Sequence, residues 1–252
     1  MSQRFLLILM ALLFTSGPII SQASHHEGLS QEVSHHYAHN KDVKIHYVKA
    51  GSGPLVVMVH GFPDYWYSWR HQMNGLKKDF TVVAMDQRGY NRSDQPGGVE
   101  SYAMHNLVSD VIAVIRDTGA TQATVVGHDW GGAVAWQVAF NAPEVVQNLV
   151  ILNLPHPNGM ARELANNPEQ QRNSAYARRF IEGSAEDPDI MFGGPMNPQT
   201  LARWVQDPAA KVLYEAAFAR SSFNGMLNFY KANYPRAGQL SPVATSEPLP
   251  KL

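Results

Sequence analysis

The run Val125-Val126-Gly127-His128-Asp129-Trp130-Gly131-Gly132 decides how the rest of the chain is read. An apolar, β-branched pair ends in Gly127, a carboxylate follows two residues on, and Gly131 and Gly132 open an expected helix. This is the strand–turn–helix setting of a nucleophile elbow, whose usual form is G-x-S-x-G. Here the serine position holds Asp129. A carboxylate at that place points to attack on an alkyl carbon, which would give an alkyl–enzyme ester. The competing reading is that Asp129 only caps the helix at a glycine-rich turn.

Working outward, residues 55–59 are continuously apolar, as a strand buried on both faces should be, and run into His60-Gly61-Phe62-Pro63. Residues 80–85 repeat the pattern and close on Asp86-Gln87-Arg88-Gly89-Tyr90. Val43, Ile45 and Tyr47 alternate with Lys44 and His46, which predicts a further strand, and residues 149–152 predict another. Between them, Trp66, Trp69, Met73 and Leu76 fit one helix stripe, and Leu107, Val111, Val114 and Ile115 a second. Strands alternating with helices predict an α/β chain with a mostly parallel sheet and flanking helices. Ligands in such sheets bind beyond the carboxyl ends of the strands. His60, Phe62, Asp86, Asp129 and Asn153 all fall at those ends.

Beyond Leu154-Pro155-His156-Pro157 the alternation stops, and residues 159–235 show helical patterns such as Ala210, Leu213, Tyr214, Ala217 and Phe218, broken at Gly193-Gly194-Pro195. The expected organisation is a core over 42–154, a helical cap over 155–235 inserted between strands, and an extended connector over 236–252.

At the other end, Arg4 precedes a short apolar run over 5–14, a Gly17-Pro18 break and small residues up to Ala23. That describes a secretory signal peptide, so export to the periplasm or outside is expected, with cleavage after Ala23 and no integral membrane span in the mature chain. Residues 24–41 carry His25, His26, His35, His36 and His39 without ordered metal-ligand spacing, and read as a solvated polar leader. The whole chain of 252 residues has a net charge of -1 and no cysteine, which argues against a nucleic-acid partner and excludes disulfides and thiolate chemistry. Charged residues at 16 % and hydrophobic ones at 44 % fit a globular protein. No metal or cofactor is called for, and the oligomeric state is open.

Taken together, His60-Gly61-Phe62-Pro63, Trp66-Tyr67-Ser68-Trp69-Arg70-His71-Gln72, Asp86-Gln87-Arg88-Gly89-Tyr90, Gly127-His128-Asp129-Trp130-Gly131-Gly132 and Asn228-Phe229-Tyr230 strongly resemble the α/β-hydrolase-fold epoxide hydrolases. The resemblance runs from about residue 33 to the C-terminus. It implies that Asp129 attacks an epoxide carbon, that the backbone N–H groups of Phe62 and Trp130 form an oxyanion hole, and that Tyr230 and Tyr176 protonate the departing oxygen. His60, Gly61, Pro63, Gly127, His128 and Gly131 are then motif residues with structural roles. The substrate implied is a small apolar epoxide, with water as co-substrate and a vicinal diol as product. Haloalkane dehalogenases share the aspartate and the following tryptophan, but typically carry asparagine where Phe62 stands.

The resemblance also calls for an acid and a water-activating histidine after the nucleophile. His156 is the only histidine after Asp129, and the approach through Leu249-Pro250-Lys251-Leu252 looks like the way to a further strand. The expectation is therefore an incomplete gene product that lacks the last strands and helices of the fold, able to take an alkyl group but not to release it. A haloalkane or haloacid dehalogenase and a non-catalytic ligand-binding remnant are the alternatives.

Overall fold

The computed structural model describes residues 32–235. The signal peptide expected over 1–23 and the connector expected over 236–252 lie outside these residues. Six strands form one sheet: β1 (Ser34–Asn40), β2 (Val43–Ala50), β3 (Leu55–Val59), β4 (Thr81–Met85), β5 (Ala123–His128) and β6 (Val146–Leu152), in spatial order β1-β2-β4-β3-β5-β6. The pairs β3–β4, β3–β5 and β5–β6 are parallel, while β1–β2 and β2–β4 are antiparallel. β3 lies between β4 and β5 and is buried at every residue, as its unbroken apolar run requires.

The leader expected over 24–41 ends earlier than its composition suggested. Ser34–Asn40 pair in register with β2 as an antiparallel edge strand. Only Ala38 on this strand is fully buried, so no hydrophobic alternation marks it in the sequence. Its histidines instead pack sideways: His35 Nδ1 lies 2.8 Å from His46 Nε2, and the His36 ring stacks on Tyr47 at 5.1 Å.

Among the described residues, the core helices are α1 (Arg70–Leu76), entered through a 3-10 turn at Trp66–Trp69, α2 (Met104–Asp117) and α3 (Trp130–Asn141). The predicted stripes are the buried ones: Trp66, Trp69 and Met73 ahead of and within α1, and Leu107, Val111, Val114 and Ile115 in α2. From Pro157 to Asn233 the chain is helical without strands: α4 (Pro157–Asn166), α5 (Pro168–Asn173), α6 (Ala175–Glu182), α7 (Pro198–Leu201), α8 (Pro208–Ala219) and α9 (Phe223–Asn233). Local sequence explains where four of these start. Each of α4, α5, α7 and α8 opens with proline in its first turn, preceded by His156, Asn167, Asn197 or Asp207, whose side chain accepts a backbone N–H of that turn. Proline presets the helical φ there and has no N–H to leave unpaired.

Two buried polar knots tie the strand-end loops to the rest. Asp86 accepts hydrogen bonds from His46 Nδ1 at 2.6 Å, Trp66 N at 3.0 Å and Asn91 Nδ2 at 2.8 Å. Arg88 forks onto Asp110 of α2 with contacts of 2.6 and 2.7 Å, and Asn40 of β1 donates to the same carboxylate at 2.7 Å. The Arg88–Asp110 pair spans 22 residues, because the loop after β4 folds back over α2.

With side chains only 3 % and 2 % exposed, the Arg88–Asp110 pair cannot fall back on water when one member is removed. Asp110→Ala should lower the free energy of unfolding by about 3–5 kcal/mol. The double variant Arg88→Met with Asp110→Leu should lose less than that single one. Urea denaturation followed by circular dichroism is the check, and a double variant weaker than the single would contradict the account.

Candidate active site

The elbow forms where β5 meets α3. Asp129 takes φ 53 and ψ −123, a left-handed conformation that costs a non-glycine residue about 1–3 kcal/mol. The turn is this tight because α3 is pressed against the sheet. A Cβ on Gly127 would collide with the Gly131 carbonyl, and one on Gly131 with the Val59 carbonyl of β3. Glycine at these two positions is therefore a packing requirement, and it holds Asp129 beyond the carboxyl ends of β3 and β5.

The loop after β3 supplies the other half of the site. Phe62 N donates to Asp129 Oδ1 at 2.8 Å, and the Trp130 backbone N–H also donates to this carboxylate. Burial pushes the Asp129 carboxyl above the usual carboxylate range, while these two N–H groups and nearby His128 pull it back. Gly61 is the residue that allows the approach, since a Cβ there would overlap the Asp129 side chain. The Phe62–Pro63 peptide bond is cis.

His60, fully buried, holds the loop from beneath. Its Nδ1 lies 2.8 Å from the Gly61 carbonyl, and its Nε2 accepts from Gln87 N at 3.0 Å. Burial lowers its pKa to about 4, so it is neutral and serves as a bracket between two loops. His128 ends β5 opposite Leu152.

Above the carboxylate stand the two tyrosines singled out by sequence. Tyr230 of α9 is 3 % exposed, and its ring meets Trp130 edge-on at 5.0 Å and Phe62 at 5.5 Å. Its hydroxyl is held well above the ordinary tyrosine range, first by burial, then by Asp129 and Tyr176. Tyr176 of α6 lies 6.3 Å from Tyr230, ring centre to ring centre. Burial and then Asp129 push its pKa up to about 12. Both phenols are thus protonated at neutral pH and feel the Asp129 charge.

These groups share one cavity of about 200 Å³. Asp129, Trp130, Tyr176 and Tyr230 line it, joined by Met104, Ala133, Gln137, Met160 and Tyr234, which sequence reading did not pick out. For Ala133 and Gln137 a signal was present, since they follow Trp130 at helical spacing and share its face of α3. Trp66 is not part of this lining and packs against His35, Tyr65 and Tyr67. Among the described residues no histidine lines the cavity. His156 caps α4 through Nδ1 and its ring lies against Trp136 and Phe140. Nor do the described residues contain a cluster of His, Cys, Asp or Glu able to hold a metal ion, or a helix long and apolar enough to cross a membrane.

Residues 54–236 match the family model described as the alpha/beta hydrolase fold. The chain is 40 % identical over 132 residues to epoxide hydrolase 4 of Mus musculus, covering 52 % of this chain and 37 % of that protein. It is 44 % identical over 130 residues to the AB hydrolase superfamily protein YfhM of Bacillus subtilis, covering 51 % of this chain and 46 % of that one. The matched stretch thus spans less than half the length of these curated relatives. Among solved structures, the epoxide hydrolase of Bacillus megaterium in complex with an inhibitor superposes with a TM-score of 0.70 at 37 % identity, over 78 % of this chain and 71 % of that chain.

Gly61→Ala should displace the Asp129 carboxylate from the Phe62 N–H without touching any polar group. The expected result is a loss of reactivity at Asp129 of about 100-fold or more, the scale seen when one oxyanion donor is removed. Covalent modification of Asp129 by an epoxide, timed by intact-protein mass spectrometry, measures it. Unchanged kinetics would show that the close approach is not needed.

Proposed function

Because this chain belongs to the α/β-hydrolase fold family, in its epoxide hydrolase branch, we propose that its site opens an epoxide by attack of Asp129 on a ring carbon. The observation that carries the reading is a carboxylate held by the backbone N–H groups of Phe62 and Trp130 in one cavity with two protonated tyrosines. Oδ1 is occupied by Phe62 N, which leaves Oδ2 as the attacking atom. As the new C–O bond forms, the ring C–O bond breaks and its electron pair moves to the epoxide oxygen. That oxygen leaves as an alkoxide, and Tyr230 and Tyr176 supply its proton.

The second step adds water to the ester carbonyl and expels the diol. The carbonyl oxygen is then Oδ1, already placed against the Phe62 N–H that would help hold the tetrahedral oxyanion. Water activation needs a base, a role that the family resemblance gives to a histidine later in the chain than Asp129. The described residues therefore support the alkylation step most directly. Two tyrosines over the carboxylate favour an alkoxide leaving group over halide, which needs no proton, and so favour an epoxide over a haloalkane. The helices α4–α9 act in this reading as a cap over the sheet.

An epoxide such as styrene oxide should add one covalent group per chain, on Asp129, and Asp129→Asn should abolish it. Attack requires the ionised carboxylate, whose pKa is raised. The rate should therefore climb as pH rises through a midpoint above the ordinary carboxylate range, then stay flat until Tyr176 loses its proton near pH 12. Mass spectrometry of the intact protein across pH gives both results. An adduct that persists in Asp129→Asn would defeat the assignment.

Residues 1–23 support export of this activity, on their positive start and apolar run. Amino-terminal sequencing of exported protein should begin at Ser24. Protein retained in the cytoplasm with Met1 intact would refute export.

A further inference from the structure

α3 forms one wall of the cavity. Trp130, Ala133 and Gln137 line it from one helix face, and at 1.5 Å per residue Gln137 lies about 10 Å along the helix from Trp130. Between them the walls are apolar, built from Leu154, Pro157, Met160 and Ala161 among others. Besides Asp129, Trp130 and the two tyrosines, the polar side chains of the lining are Gln137, Tyr234 and Asn233, whose NH2 is taken by the Tyr102 and Phe229 carbonyls.

The Gln137 amide has a defined orientation. Asn141 Nδ2 donates both to the Gln137 backbone carbonyl at 2.8 Å and to Gln137 Oε1 at 3.1 Å. An NH2 group that faces a backbone carbonyl must be the nitrogen end, so the Gln137 atom beside it must be oxygen. The acceptor half of Gln137 is thus engaged. Its NH2 bonds no other described residue, and what Gln137 offers the cavity is a donor.

We propose that Gln137 determines substrate preference by donating a hydrogen bond to a neutral acceptor oxygen, such as an ester or ether, at the far end of a slender terminal epoxide. The inference rests on Asp129 being the alkyl nucleophile. The span sets the distance between the epoxide and the acceptor at about 10 Å. A volume of about 200 Å³ is small against the 300–1,000 Å³ of drug-sized sites, and favours a narrow chain over a fused ring system. Charge narrows the acceptor further. No lysine or arginine lines the cavity among the described residues, so an ionised carboxylate at that end would be desolvated without a partner. A site built to hydrogen-bond its ligand also discriminates against the analogue that lacks the group.

The test compares two probes on the full chain: a ten-carbon terminal epoxide ending in a methyl ester, and the plain ten-carbon terminal epoxide. The rate of adduct formation on Asp129, read by intact-protein mass spectrometry below saturation, gives a ratio for each variant. The wild-type chain should favour the ester by about five- to tenfold, the scale of one hydrogen bond. In Gln137→Leu the ratio should fall to about one or below. Gln137→Glu keeps the shape and loses the donor, and its ratio should fall as well. A purely structural role for Gln137 would slow both probes together and leave the ratio untouched, which would overturn the proposal. So would a wild-type ratio near one. If neither probe nor styrene oxide forms an adduct, the nucleophile reading itself has failed and this inference with it.

Discussion

The hydrogen bond from Phe62 N to Asp129 Oδ1 is the constraint around which the structure is arranged. It joins two loops that are 67 residues apart in sequence and meet only because β3 and β5 are parallel neighbours in the sheet. A backbone donor is fixed to its strand, so it can reach the carboxylate only if the second loop comes almost into contact. Gly61 makes that approach possible on one side, and Gly127 with Gly131 makes it possible on the other. Placing the carboxylate costs the left-handed backbone of Asp129 and the partial burial of a charge. The N–H groups of Phe62 and Trp130 offset part of the second cost.

The same sheet edge also anchors the helices above it. Asn91, in the loop after β4, gives its side-chain N–H to Asp86, while its side-chain oxygen takes two bonds from Arg220 at the end of α8. Its backbone N–H goes to Ser221 Oγ, and Ser222 N reaches the Gly89 carbonyl. The segment between α8 and α9 is therefore bolted to the loop that Asp86 and Arg88 organise. Tyr230 belongs to α9, so its position over Asp129 depends on buried polar groups that never enter the cavity. Such groups are costly if half satisfied. Here each carboxylate takes several donors, and the knots hold the two halves of the site in register.

Most of the core was legible in the sequence because the buried strands carry continuous apolar runs, and the elbow because glycine and aspartate stand where a strand turns into a helix. β1 was not legible. An edge strand that buries only Ala38 completely has no alternation to read, and its histidines resembled a solvated leader. Within the site, Asp129, Phe62, Trp130, Tyr176 and Tyr230 could be named in advance because motifs carry them, and the geometry brings them together. Met160 and Tyr234 could not, since which side of a helix faces a cavity depends on packing between segments far apart in sequence. The same applies to Asp64. Nothing in the sequence around it foretells that burial lifts its carboxyl to about 7, against the pull of Tyr65 N, Tyr214 and Ser68.

The electrostatics of the two tyrosines follow from where they stand relative to Asp129. In the resting site the negative carboxylate adds to burial in holding both hydroxyls protonated. Protonated phenols are the right state for binding an epoxide oxygen but poor proton donors while an anion lies beneath them. In the proposed reaction, attack by Oδ2 would remove that obstacle, because the charge would leave Asp129 as the ester forms and appear on the epoxide oxygen beside the hydroxyls. The influence that keeps the protons in place would be lost when they are needed, and the new anion would draw one of them across. A neutral nucleophile such as serine would not begin with the charge, so this hand-over depends on a carboxylate at the elbow. On the proposed reading, a carboxylate rather than a serine at the elbow and the pair of tyrosines beside it act as two parts of one device.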